Sequence, residues 1–396
     1  MRSGYRRMYV SEQKRRMKLT ENFPLSMQLG TASSSPMRKE PLHLYGGTSG
    51  TGVSIRSGRS LLEATMPFTV ESVARSWWHV GSTFLMLVAS LAGAALASAW
   101  PMRLVLSVLA ALLMVRAFIT YHDYMHGSVL ARSRLAWIMF RIYSVLFLTP
   151  PCSWKTSHNY HHGHVGQTSA ATDGAFPIMT TTMWRSASWA TRARYRAVRH
   201  PLTVLSGYLT IFLFSLSLLP LFRNPPRHWD ALPVLLGHAA LIATLWVLGG
   251  VSMAFYVVLL PMTIASALGS YLFFAQHSFK GMHIMTSETW TYHRSAMESS
   301  SYMRLSKLMQ WFTGNIGFHH IHHLNVRIPF YRLAEAMNAI PELQSPMTTS
   351  LAPRDIVGCF QSCLWDEGRQ RMVSYREASL GIDLRERARH LSGSPG

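Results

Sequence analysis

Three histidine clusters hold the residues able to do chemistry in this sequence. They are His122 and His126 in YHDYMHGS, His158, His161 and His162 in SHNYHHGH, and His319, His322 and His323 in GFHHIHHLN. The spacing is i,i+4 in the first cluster and i,i+3,i+4 in the other two. On a helix, residues three and four apart stand on one face, one turn from each other. Eight imidazoles from three helical segments are enough for two metal ions. Imidazole suits zinc, copper, iron and nickel. A structural zinc takes four ligands, usually with cysteine among them, and no cysteine lies in any cluster. Two metals sharing the eight rings is the simplest arrangement. Iron is the redox metal that activates dioxygen against unactivated C–H bonds, although ligand type alone leaves zinc and copper open.

Elements that bring these clusters to one point must come from an apolar chain. Of 396 residues, 48% are hydrophobic and 14% charged, against about 25% charged in a typical soluble domain. One membrane-embedded unit with polar extensions is therefore expected. The first apolar stretch runs over 80–99 and the second over 102–120, separated by Trp100-Pro101. Each has the roughly 20 residues of a bilayer crossing. They read as a tight hairpin, with Arg103 and Arg116 snorkelling outward from the second leg. The stretch 135–148 is shorter and interrupted by Arg141. If it crossed, the second cluster would lie on the opposite face from the first, so it should lie in the interface or re-enter. Three further apolar segments cover 202–222, 232–250 and 253–275, the last with Pro261 inside it. The third cluster must return to the same side, so an even number must cross. The last two, joined by Gly249-Gly250-Val251-Ser252, read as a second hairpin, with 202–222 in the membrane plane. The expected fold is all-α and multi-pass: two transmembrane hairpins, four crossings, interfacial helices and a cap carrying the clusters. Its domains are a basic arm over 1–70, the membrane unit over 71–345 and a polar segment over 346–396, with amphipathic helices over 333–347 and 354–376.

The formal net charge is +20. No zinc-finger spacing or RNA-binding aromatic motif accompanies it, so nucleic acid is not an expected partner. Basic residues beside apolar helices fit the positive-inside rule, and the run from Arg185 through Arg192, Arg194 and Arg196 to Arg199 fits a cytoplasmic face. Residues 1–70 carry no apolar run of signal-peptide type. Cys152, Cys359 and Cys363 make no disulfide framework and read as reduced thiols.

The clusters lead to a resemblance. HDYMHGS, HNYHH and HHIHH are similar, in order, spacing and placement beside two apolar hairpins, to the three histidine boxes of the membrane fatty acid desaturases. Those boxes have the forms H-x(3,4)-H, H-x(2,3)-H-H and H-x(2,3)-H-H, and GNIGFHHIHHLNVRIPFYRL resembles the acyl-lipid branch. The likeness covers about residues 75–345. It implies a di-iron site on the cytoplasmic face of an integral membrane protein. There, with dioxygen as co-substrate, two hydrogens leave neighbouring methylenes of an acyl lipid, giving a double bond and water. It also implies a ninth ligand between the last transmembrane helix and the third box, a place that His277 in FFAQHSF fits. His320 projects away from the ligand face, and His164 stands near it. Metal-bound histidines usually donate their other N–H to an acceptor. Asp123 is the first candidate acceptor, with Asn159, Asn315, Asn325 and Glu298 also near in sequence. No haem motif of the His-Pro-Gly-Gly kind is present, so electrons should come from a separate carrier such as a ferredoxin or small cytochrome. The first box departs from the acyl-lipid pattern at Tyr124 and Met125. HDxMHG also occurs in carotenoid ketolases, which keeps open a related di-iron hydroxylase or ketolase acting on carotenoid, sterol or sphingoid lipid. A metal transporter or sensor fits less well, because the histidines lie beside the apolar helices rather than along a path within them.

Overall fold

A computed structural model describes residues 56–168 and 176–380 of the chain. The expected N-terminal arm, up to residue 55, lies outside the described residues. The rest of it is packed: helix α1, Gly58–Thr65, buries Leu61 in an apolar cluster with Ile316, Phe318 and Leu333. Beside it Arg56 pairs with Glu342 at 2.9 Å. Leu61 gives this otherwise polar stretch one apolar face.

Helices α2, Val73–Leu96, and α3, Trp100–His126, form the first hairpin. Ser72 caps α2 by accepting from the Arg75 N–H. Pro101 sits in the first turn of α3, where its missing N–H removes no helical bond. Gly127 ends α3 in the left-handed conformation at φ 77. The helix thus runs past the apolar stretch and carries the first histidine cluster on its own last turns. Helices α4, Arg134–Leu146, and α5, Pro151–His164, meet at 90°. The break between them holds Leu148 at φ 50 and the Pro150-Pro151 pair. Together they have the apolar character of a broken span or a re-entrant loop.

Strand β1, Met179–Thr180, and helix α6, Trp189–Val198, follow, then the wide-wound helix α7, Tyr208–Leu218. Next come α8, Ala231–Ala254, and α9, Leu260–Gln276, which form one apolar stretch of 46 residues. Straight, it would be about 69 Å long at 1.5 Å per residue, about twice a bilayer's hydrocarbon core of about 30 Å. It folds back instead. Gly249 (φ −145, ψ 20) and Gly250 (φ 69, ψ −173) break the helix, and Gly250 adopts a backbone that side chains disfavour. Leu241, Ile242 and Leu245 then pack near Val257 and Val258 against Ala94 of α2. A wide turn of i+5 bonds over Phe255–Leu259 leads into Pro261 and absorbs its missing N–H.

Both turns lie at one end of the bundle. Arg103 donates to the Ala97 carbonyl at 2.6 Å and to Ser252 Oγ at 2.9 Å, and Ser107 Oγ donates to the Tyr256 carbonyl. Arg103 therefore staples the two turns rather than snorkelling. Arg116 does not snorkel either. It is buried, donates to Thr83 Oγ1 and the Trp311 carbonyl, and approaches His79, with its guanidinium over the Trp311 ring. The segment before the third cluster closes over it and leaves no route to water. Among the described residues, α2, α3 and the α8–α9 stretch are long and apolar enough to cross a membrane.

The remainder is a mostly helical cap. Strand β2, Tyr302–Arg304, leads to α10, His319–Leu324; β2 pairs in parallel with β3, Thr348–Ser350. The helix expected over 333–347 stops at Ala339, two residues before Pro341. The one expected over 354–376 splits into α11, Pro353–Gln361, and an antiparallel pair, β4 Leu364–Asp366 and β5 Arg371–Val373, with β1 alongside β4. Asp366 makes the turn, its Oδ1 accepting from the N–H groups of Gly368 and Arg369. The all-α expectation holds apart from these short strands.

Candidate metal centre

The structure brings nine histidines from four segments into two adjoining groups. His122, His126, His158, His162 and His322 form one; His161, His277, His319 and His323 form the other. Within each group the ligand nitrogens lie within 4.8 Å of one another. The i,i+4 pair of α3 supplies one corner. Helix α5 splits its three rings, sending His158 and His162 to the first group and His161, turned about 100° round the helix, to the second. Helix α10 divides likewise, His322 to the first and His319 with His323 to the second. His277 follows the last residue of α9 and faces the second group.

The Nε2 atoms are turned toward each other. His158 Nε2 lies 3.0 Å from that of His122, 3.1 Å from His126 and 3.0 Å from His162, and His322 is 3.1 Å from His162. In the second group His161 lies 3.1 Å from His277 and 3.2 Å from His323, with His319 at 2.8 Å from His277 and 3.1 Å from His323. Metal–nitrogen bonds of about 2.1 Å put ligands at right angles about 3.0 Å apart and tetrahedral ligands about 3.4 Å apart. The observed spacing is in the range expected of nitrogens that share one metal.

Ring tautomers support the same reading. His122 Nδ1 lies 2.9 Å from Asp123 Oδ1, and His277 Nδ1 lies 2.9 Å from the Ser299 carbonyl. Nδ1 donates in both, leaving an Nε2 lone pair facing inward. Lone pairs at 3 Å repel unless a cation lies between them. The buried Nδ1 atoms of His161, His162, His319 and His323 have no acceptor among the described residues. Burial, with the crowding of neighbouring rings, holds the third-cluster imidazoles well below the ordinary histidine range. They are neutral at pH 7, the form that binds metal.

Asp123 does more than touch His122, because its Oδ2 accepts from the Phe330 N–H at 2.7 Å. The carboxylate ties the first cluster to the segment after the third. Asn315 joins the same chain of contacts from outside, donating to the Phe330 carbonyl. Asn159 and Asn325 are not brought to a ring. Asn159 is exposed, and Asn325 donates to Thr65 Oγ1 and accepts from the Arg327 N–H. Glu298 pairs with Arg294. His320 turns away, with Nε2 at 3.2 Å from the Leu343 carbonyl, and His164 stacks on Tyr160. Sequence reasoning missed Trp154, whose ring stacks on His158 at 4.4 Å and flanks His122 and His126. It stands one turn before His158 on the ligand face, and that offset was the available signal. Ser299 gave none, since its backbone carbonyl makes the contact.

The family model described as Fatty acid desaturase matches residues 98–350. A curated relative, "Fatty acid desaturase" of Bacillus subtilis (strain 168), is 32% identical over 275 residues, covering 69% of this chain and 77% of that protein. "Omega-3 fatty acid desaturase, chloroplastic" of Glycine max is 26% identical over 247 residues, covering 56% of this chain and 50% of that protein.

Proposed function

Because the chain belongs to the fatty acid desaturase family, we propose that its nine clustered histidines hold two iron ions for dioxygen-dependent double-bond formation in an acyl chain. The protein is an oxidoreductase of lipid metabolism, a fatty acyl desaturase. The observation that carries the metal reading is the convergence of nine Nε2 atoms on two points with no carboxylate in either group. The irons, when bound, supply the oxidising power that takes two hydrogens from neighbouring methylenes. His122, His126, His158, His162 and His322 would hold one, and His161, His277, His319 and His323 the other. Asp123 and the Ser299 carbonyl keep His122 and His277 in the Nδ1–H form. Trp154 packs an apolar wall against His158. Eight of the nine rings are buried, with His126 the partial exception, and burial keeps bulk water from the ligands.

Purified protein is expected to carry two irons per chain. Metal analysis checks this, and a single zinc per chain would end the proposal. Lipid analysis of a host expressing the chain is expected to show new double bonds; hydroxylated lipid instead would favour hydroxylase chemistry.

We further propose that α2, α3 and the two legs of α8–α9 cross the membrane, with α4–α5 entering from the side that holds the centre. The centre and both termini would then face the cytoplasm, with the Arg103 end on the far side. Engineered cysteines at positions 98 and 251 should label only from the far side, and one at 159 only from the cytoplasm. Far-side labelling at 159 would refute this topology.

The electron donor is proposed to be a separate acidic carrier. The arginine run expected to receive it is largely engaged elsewhere. Arg192 donates to the Ala187 and Arg185 carbonyls, Arg196 lies over Trp184 and Tyr375, and Arg199 is buried. Arg194 and Lys280 are exposed. Reversing both to Glu should slow donor-dependent turnover and flatten its salt dependence. An unchanged rate and salt response would leave them as lipid anchors.

A further inference from the structure

We infer that Gly166 is a positioning residue for the second histidine group: its contact with Ser299 sets how far His277 stands from His161. The inference rests on the ligand assignment proposed above. Gly166 lies two residues past the end of α5, with the Val165 N–H still bonded to the His161 carbonyl. Its φ is +74, and a Cβ placed on it would fall 2.0 Å from Ser299 Oγ and 2.6 Å from Ser299 Cβ. Ser299 in turn presents its carbonyl to His277 Nδ1 at 2.9 Å. The contact therefore stands behind the His277 ring, on the side away from the second group. His161 and His277 face each other there with their Nε2 atoms 3.1 Å apart.

Neither partner can retreat. The Gly166 carbonyl accepts from the Met285 N–H at 2.7 Å, and the Thr168 N–H donates back to the Met285 carbonyl at 3.0 Å. On the other side Ser299 Oγ donates to the His283 carbonyl at 2.7 Å. The Ser299 N–H donates to the Ser295 carbonyl, and the Ser301 N–H to the Gln276 carbonyl. A side chain at position 166 must then displace the Ser299 carbonyl, and the His277 ring with it. Loss of an outer hydrogen-bond partner typically costs 10–100-fold in metal affinity. The first group takes no ring from this contact and should keep its metal.

The experiment compares iron content in purified wild-type protein, Gly166→Ala, Ser299→Gly and the double variant. The Ser299→Gly change removes Cβ and Oγ but leaves the carbonyl that His277 uses. Expected values are two irons per chain for the wild type, about one for Gly166→Ala, and for the double variant a return to the content of Ser299→Gly alone. Product in Gly166→Ala should fall at least about tenfold. Two irons and near-normal product in Gly166→Ala would overturn the inference. So would a double variant that stays at one iron, because the left-handed backbone rather than the contact would then be the requirement. If Gly166→Ala is lost from the membrane fraction, the double variant decides: its recovery supports the contact and its continued loss refutes it. A wild type without two irons refutes the ligand assignment itself, and the inference with it.

Discussion

Replacing His161 or His322 by alanine abolishes product while the chain stays in the membrane. His161 is the only ring that α5 contributes to the second group, and His322 the only one that α10 contributes to the first. Each substitution opens a coordination position on one metal and unties one segment from it. Removing an outer partner costs 10–100-fold, so removing a direct ligand should cost more than about 100-fold. Insertion should be unaffected, because it depends on the apolar faces of α2, α3, α8 and α9. His320→Ala provides the contrast within the same helix. Its ring lies against the Leu343 carbonyl rather than a metal group, and losing that hydrogen bond costs about 1 kcal/mol. Host lipid analysis, with the chain quantified in the membrane fraction, measures all three. Near-normal product from both His161→Ala and His322→Ala would show that these groups are not the reaction centre.

Asp123→Ala is expected to lower product about 10–100-fold. Both carboxylate oxygens accept, one from His122 and one from the Phe330 N–H. Alanine removes both acceptors, frees the His122 ring to turn and leaves a buried N–H unpaired. Asp123→Asn should fall between alanine and wild type. Its carbonyl oxygen can still serve His122, but its amide would then face the Phe330 N–H, donor against donor. Iron affinity and product in the two variants test this ordering. An asparagine variant as damaged as alanine would mean that the charge, not the acceptor geometry, matters at this position.

The clusters were legible because helical periodicity fixes which histidines share a face. Spacing alone could not divide them between two metals, since that depends on how α3, α5 and α10 cross. The second hairpin was readable from its glycines, because Gly250 needs a backbone that few residues tolerate. The arginines were not readable. A lone Arg in an apolar stretch predicts snorkelling, but Arg103 and Arg116 meet carbonyls and rings brought by residues far along the chain. The strand pair at 364–373 was missed for a local reason: its register is set by the Asp366 turn, which a helical reading of 354–376 passes over.

The ligands are spread from residue 122 to residue 323, and their lone pairs oppose one another until a cation joins them. Iron bound there, as proposed, would cross-link the first hairpin, the bent α4–α5 pair and the cap, and its binding energy would be part of the folding energy. The site cannot be completed until the third cluster has been synthesised, so loading is a late step in the life of each chain. In cells starved of iron the hairpins would still insert, but the segments around the centre would have no cation to hold them together. Such chains should be cleared by proteolysis, so that iron supply sets the amount of this protein as well as its activity.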